Sequence, residues 1–273
     1  MPPLQSTYRK NHSTETTLLR VLNDILMTLD HHQDVILVML DLSATFDTLD
    51  HDILISRLRC HFGFSDTVFK WFSTYLSGRT QSVIIGDTTS SPRSVDFGVP
   101  QGSILGPLLF SLYVAPLQDI VAAYRLDSMF NADDSQLYIA INPNDHSPAL
   151  DTLRNCIDDV INWNTLNLFL CSPGKTEVIQ FTSRFAQHPV LNCFSFGNTT
   201  IELSDNVRNL GVIVDKELGL KQHVNDICKK AILAIRSISR MRKSLSHDNL
   251  KCIVNAFCHF TPGLLQQFTL RPP

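Results

Sequence analysis

The sequence contains no C-x-x-C pair, and its cysteines number an odd seven. That pattern gives no support to a zinc site or a disulfide framework and reads as scattered reduced thiols. A run of about 20 uninterrupted apolar residues is also missing. The longest weakly polar stretch, residues 102–117, is broken by Pro107 and Pro116, so no membrane-spanning helix and no membrane partner are expected. Residues 1–10 lack the apolar core of a signal peptide. Internal repeats and low-complexity tracts are absent. Only 18% of the 273 residues are charged while 44% are hydrophobic, which excludes a disordered chain and predicts one large domain or two modest ones. The expectation is a soluble intracellular protein, with nucleus and cytoplasm not distinguished.

What charge there is falls unevenly. Residues 1–174 carry 10 Lys and Arg against 19 Asp and Glu, whereas residues 175–273 carry 13 against 7. An acidic half suited to cations followed by a basic half suited to a polyanion points toward nucleic-acid chemistry.

Hydrophobic spacing supplies the elements. Residues 13–30 predict an amphipathic helix capped at Ser13 or Thr14. The continuous apolar run VILVMLDL (35–42) predicts a strand buried on both faces, with an acid near its end. Asp50 and Ser65 predict helix starts, with Gly63 and Gly78 as stops. Strands are expected over 81–85 and 93–97, a loop over 98–106 and a helix over 107–117. Ser147-Pro148 should open a long helix whose inner face is Leu150, Leu153, Ile157, Val160, Ile161 and Leu166. Strands over 176–181, 190–196 and 209–214 precede a helix over 221–243. Its inward face would be Val224, Ile227, Cys228, Ala231, Ile235 and Ile238. Its outer face carries Lys229, Lys230, Arg236, Arg240, Arg242 and Lys243, open to water or to phosphates alike.

Between two short apolar runs stands NADDS (131–135). Taken alone, Asp133-Asp134 is a hairpin turn, because Asn, Asp and Ser tolerate turn geometry. If that hairpin pairs beside the strand ending at Asp41, however, three carboxylates meet at one edge of a sheet. Such acids raise one another's pKa unless a cation neutralises them. Oxygen ligands of this type suit Mg2+, and two ions roughly 3.5–4 Å apart support phosphoryl transfer.

These residues resemble a known family. LDLSATFDTLDH (40–51), GVPQGSILGPLLF (98–110), ADD (132–134) and WNTLNLFLCSPGKTEV (163–178) are similar to successive motifs of reverse transcriptases, as are YRKNHSTET (8–16) and NLGVIVDKELGLKQHV (209–224). The nearest resemblance is to the non-LTR, LINE-type retrotransposon branch. Several motifs in order are far more specific than any one. The implied fold is an α/β (α+β) right-hand polymerase: partial fingers (1–34), a palm with an antiparallel sheet and inserted fingers elements (35–205), a short helical thumb (206–260) and an irregular tail (261–273). The implied activity is RNA-directed DNA polymerisation, joining dNTPs to a DNA primer on an RNA template, with two Mg2+ ions, or Mn2+ in their place.

By that resemblance Asp41, Asp133 and Asp134 are the catalytic, metal-binding acids, with the Leu42 carbonyl beside them. Phe46 would exclude a ribose 2′-OH, although a lone Phe there could equally be core packing. Gln101 and Gly102 would line the incoming nucleotide, Arg9 the triphosphate and Lys175 the leaving pyrophosphate. Lys229, Lys230, Arg236 and Arg240 would touch nucleic acid. Departures from the family pattern are Asn131 in place of an aromatic, Cys171-Ser172 in place of Leu-Asn, and Pro173-Gly174 before Lys175. The chain resembles a truncated domain that begins within the fingers and lacks an upstream nuclease region. Two alternatives stay open: an inactive remnant that only binds nucleic acid, and a metal-dependent phosphodiesterase using the same acids.

Overall fold

The computed structural model describes residues 4–260 apart from 44, 45, 101, 172, 184, 187–189 and 198. Helix α1 (Thr14–Asp30) starts at a capping box between Ser13 and Thr16, which satisfies two otherwise orphaned amides. It leads into strand β1 (Asp34–Leu40) and the short β2 (Leu42–Ser43). Helix α2 (His51–Cys60) is capped by the Asp50 carboxylate, which accepts from the Ile53 amide at 2.8 Å, and α3 (Asp66–Leu76) follows. The two strands expected next resolve into four two-residue pieces, β3 (Thr80–Gln81), β4 (Ile84–Ile85), β5 (Thr88–Thr89) and β6 (Arg93–Ser94), paired β3 with β6 and β4 with β5.

The helix expected over 107–117 is longer. Helices α4 (Leu105–Val114) and α5 (Pro116–Ala123) form a 19-residue apolar stretch. It is long and apolar enough to cross a membrane by length and composition, yet most of it is buried inside the protein. Strands β7 (Asp127–Asn131) and β8 (Asp134–Ile141) make the acidic hairpin, and α6 (Ser147–Leu166) follows. Leu153, Ile157 and Val160 of α6 are buried as the spacing predicts, but Leu166 is 77% exposed: at the helix end no element among the described residues covers it.

The remainder comprises β9 (Leu170–Cys171), β10 (Glu177–Phe181), β11 (Cys193–Phe196), β12 (Thr199–Glu202), β13 (Asn206–Asn209), β14 (Val212–Asp215), α7 (Lys221–Met241) and α8 (His247–Phe260). The single strand expected over 209–214 is thus a hairpin, turning at Leu210 and Gly211, both with positive φ.

One antiparallel sheet in the order β10-β1-β8-β7 organises the molecule. Residues Leu4 to Ser6 add along the outer edge of β7, where the Phe130 amide donates to the Leu4 carbonyl at 3.1 Å. Alternation along β1 sends Ile36, Val38 and Leu40 to one face, against α5 and α6, and Val35 and Leu37 to the other, against α1, β13 and β14. That two-sided burial is why β1 needs an unbroken apolar run. A third core, around Leu54, Leu58, Phe72, Phe110, Tyr113 and Phe169, joins α2, α3 and α4. Cys60, Cys156, Cys193, Cys228 and Cys252 are unbonded.

Helix α7 departs from expectation. Val224 and Ile235 are 39% and 61% exposed, and His223 is its only buried residue. Its apolar stripe follows helical spacing, but among the described residues no second layer packs over it.

A reciprocal amide pair fastens β13 to the sheet. Gln136 Nε2 donates to Asn209 Oδ1 at 2.8 Å, and Asn209 Nδ2 donates to Gln136 Oε1 at 2.9 Å, both side chains buried. Gln136→Leu should lower stability by about 1–3 kcal/mol, because the Asn209 amide is left unpaired in the interior. The double variant Gln136→Leu, Asn209→Leu should recover part of that loss. Urea denaturation of the three proteins checks the sign, and additive losses would show that the pair is not coupled.

Candidate active site

The acidic hairpin has a tighter turn than NADDS suggests. Asn131 and Asp134 are paired across β7 and β8, leaving only Ala132 and Asp133 in the loop, and Ala132 takes a positive φ of 58°. On the other side β8 pairs with β1 up to Leu40 opposite Ser135. One step further, Asp41 stands level with Asp134 at the end of adjoining strands. Cross-strand neighbours share a face, and this is the face that also carries Met39 with its partner Glu177, and Gln136. Asp41 and Asp134 therefore meet at one sheet edge across 92 residues of intervening chain.

The electrostatics follow from that convergence. Removal from water raises the Asp134 carboxyl to about 6, and the neighbouring charges of Asp133 and Asp41 push in the same direction. Burial, then the Asp133 charge, raises the Tyr8 phenol, so the N-terminal segment brings Tyr8 to the hairpin tip. The Lys175 ammonium donates to Asp41 Oδ2 at 3.0 Å. Lys175 sits in the single helical turn Pro173–Lys175, anchored by the β2–β9 pairing of Leu42 with Cys171. An open cleft of ≈ 280 Å³ lies here, lined by Asp41, Asp134, Lys175, Glu177 and Arg208 among others.

Among the described residues no three His, Cys, Asp or Glu side chains are close enough to hold a metal ion together. Asp41 is instead paired with Lys175. The donor chemistry still fits a hard divalent cation: all the oxygens are carboxylate, and Asp134, whose pKa is raised first by burial, also feels the charges of Asp133 and Asp41.

A pH dependence follows from that carboxyl. Its folded pKa lies above the unfolded value of 3.8, so between those values the folded state binds the extra proton and stability falls as pH rises. Above about 6 the loss is complete. In metal-free buffer, Asp134→Asn should flatten this slope; a denaturation midpoint that varies with pH identically in both proteins would refute the assignment.

The other residues implied by the resemblance are more dispersed. The Phe46 ring stacks on Phe110, with centroids 4.5 Å apart and an interplanar angle of 23°, so packing in the third core holds it. The Val99 amide donates to the Phe46 carbonyl at 2.9 Å, and His51 Nε2 is 2.7 Å from the Gly98 carbonyl oxygen. Gly98 is obligatory here: its φ is +80°, and an added Cβ would lie 2.9 Å from the Asp47 carbonyl oxygen. Gly102 shares the positive φ without the crowding, and Gln101 lies outside the described residues. Arg9 follows the Leu4–Ser6 edge strand and Tyr8. On α7, Lys230 pairs with Asp226 at 2.7 Å, while Lys229, Arg236 and Arg240 are exposed.

Sequence reasoning passed over Tyr8, Glu177, Arg208 and His51. Glu177 could have been found by register, since it lies opposite Met39, two residues before Asp41; the others are brought in by contacts between distant segments.

The profile of the family described as "Reverse transcriptase (RNA-dependent DNA polymerase)" matches residues 1–214. The RNA-directed DNA polymerase from mobile element jockey of Drosophila funebris is 26% identical over 276 residues, which cover 97% of this chain and 29% of that protein. The probable RNA-directed DNA polymerase from transposon BS of Drosophila melanogaster is 25% identical over 263 residues, covering 94% and 29%. The chain thus spans less than a third of the length of these relatives. Among solved structures, a telomerase from Candida tropicalis in complex with a TWJ fragment of telomeric RNA superposes with a TM-score of 0.53 at 13% identity, over 93% of this chain and 41% of that one. At that identity the likeness concerns the fold.

Proposed function

The chain belongs to the reverse transcriptase (RNA-dependent DNA polymerase) family, and on that premise we propose that it forms the polymerising core of a non-LTR retrotransposon enzyme, extending a DNA primer along an RNA template. The observation that carries this reading is the alignment of Asp41 with Asp134 at the ends of β1 and β8, with Asp133 in the turn between β7 and β8. Polymerases of this family depend on divalent cations. Asp41 and Asp133 would hold them, with Asp134 beside them and Mg2+ the natural candidate for an all-oxygen donor set. The cation supplies charge neutralisation and a lowered pKa for the attacking hydroxyl.

The chain's own residues do the rest. The primer 3′-hydroxyl gives up its proton to water, its oxygen forms a bond to the α-phosphorus of the dNTP, and the bond from that phosphorus to the bridging oxygen of pyrophosphate breaks, so that pyrophosphate leaves. Lys175, released from Asp41, is within its own reach of the cleft and neutralises the departing pyrophosphate. Phe46, fixed by its stack on Phe110, presents a rigid ring against a ribose 2′-OH. Gly98 and Val99, tied to the backbone of residues 46–49, hold the loop leading to Gln101 and Gly102 against the incoming nucleotide. Lys229, Arg236 and Arg240 on α7 contact the phosphates of the duplex.

Primer extension on an RNA template with Mg2+, run beside Asp133→Ala, tests the proposal. Extension that the substitution abolishes supports it. Binding without extension would identify an inactive nucleic-acid-binding remnant, and strand cleavage a phosphodiesterase.

A further inference from the structure

Helix α7 buries one side chain, His223, in its first turn, whereas Ile232, Leu233 and Ile235 further along are each more than half exposed. Two side chains near its start grip a single rung of the β13–β14 hairpin. Arg208 and Ile213 face each other across that hairpin. The Ile213 amide donates to His223 Nδ1 at 3.3 Å, and the Asp226 carboxylate lies 3.7 Å from the Arg208 guanidinium. His223 and Asp226, three residues apart, share one face of the helix. The same hairpin lines the acidic cleft through Arg208, Asn209 and Leu210. The rung therefore connects the cleft to the helix that carries Lys229, Arg236 and Arg240. Leu218 and Leu220, both with positive φ, turn the chain into α7, a conformation that non-glycine residues keep only where neighbouring contacts hold it.

An amide that donates to Nδ1 requires a lone pair there, so the proton of the neutral ring sits on Nε2. Nε2 is buried without a hydrogen-bond partner. A second proton would sit on Nδ1 and point at the Ile213 N–H. Protonation thus breaks this contact and leaves a buried positive charge. The charged groups around the ring are Arg208 of β13 and Asp226 and Lys230 of α7, and Asp226 is already shared between those two cations. Asp215 of β14 is engaged by the amides of Glu217 and Gly219. Burial lowers the His223 pKa, Asp226 opposes that shift, and Arg208 and Lys230 add to it. The stability supplied by the neutral ring is therefore complete above the ordinary value of 6.5 and is lost as pH falls through the lowered folded value.

We propose that His223 is the positioning residue that sets α7, and hence its basic face, relative to the cleft, and that adding a proton to its ring releases the helix. The proposal rests on the reading of α7 as a nucleic-acid contact given above.

Two quantities test it between about pH 7.5 and about pH 5.5, on either side of the ordinary histidine pKa. One is the protection of the Ile213 amide against hydrogen exchange in the protein alone, corrected for the intrinsic pH dependence of exchange. The other is affinity for a DNA primer annealed to an RNA template at constant ionic strength. In wild type, acidification should lower both roughly 3- to 10-fold, the worth of one buried hydrogen bond. A basic surface without such a device binds a polyanion no less tightly as its histidines gain charge. His223→Asn, whose Oδ1 accepts from Ile213 without titrating, should match wild type at the higher pH and show neither loss. His223→Ala should be weak at both. A pH response that persists in His223→Asn belongs to another group and overturns the proposal. His223→Asn as weak as His223→Ala marks a packing residue and overturns it as well, as does a loss that tracks global unfolding by circular dichroism. Protection that falls while affinity stays constant supports the pivot and removes α7 from the duplex. Constant protection in wild type overturns the pivot whatever the duplex does, and primer extension then still judges the polymerase reading.

Discussion

Asp41→Asn is expected to lower primer extension on the order of 10²- to 10³-fold, the scale of removing one preorganised electrostatic group from an active site. It should leave affinity for the primer and template within a few-fold. The substitution keeps the shape of the side chain but removes a negative charge from the sheet edge, where Asp134 feels it directly. It also releases Lys175, whose ammonium now donates to Asp41 at 3.0 Å. Because the Lys175 side of that ion pair is 65% exposed and the Asp41 side 32%, its loss should change stability little. Single-turnover extension and equilibrium binding, measured on the same preparation, separate the two effects. Equal loss of binding and extension would mean that Asp41 maintains the surface and not the chemistry.

Phe110→Ala should be among the most destabilising single changes, costing about 3–5 kcal/mol as expected for truncating a buried aromatic. Phe110 is fully buried in the third core, between Phe46 and Phe169. The denaturant midpoint should fall steeply, and unchanged stability would show that this core collapses around the gap. Since such a variant can fail to fold, Phe110→Leu isolates the functional consequence. It retains apolar volume but removes the ring against which Phe46 stacks. Discrimination against ribonucleotides should then weaken roughly 2- to 10-fold, the worth of one aromatic stack. Undiminished discrimination would mean that Phe46 serves only the core.

The parts of this fold that were legible in the sequence are those whose signal is local. VILVML reads as a two-sided strand because β1 sits between β10 and β8 with a helical layer on each face. The Ser13 and Asp50 caps read correctly because a cap is decided within three residues. The Asp133-Asp134 turn was legible as a hairpin from Asn, Asp and Ser alone, and the order of motifs suggested which acids belong together. What escaped depends on long-range packing. The β13–β14 turn was hidden inside an apolar run because Leu210, not only Gly211, adopts a positive φ. The buried pairing of Gln136 with Asn209 spans 73 residues, and no periodicity announces it. Helix α7 has the spacing of an amphipathic helix, but spacing cannot say whether a partner layer exists. The stack of Phe46 on Phe110 likewise joins two segments distant in the chain, and no local signal announces it.

Mn2+ binding followed by electron paramagnetic resonance tests the central claim most directly, with a chain-terminated DNA primer on an RNA template and the next dNTP present. If the ends of β1 and β8 share bound cations, wild type takes up Mn2+ tightly and Asp41→Asn and Asp133→Asn each lose that tight binding, although 91 residues separate them in the chain. Equal Mn2+ uptake by wild type and both variants would contradict it.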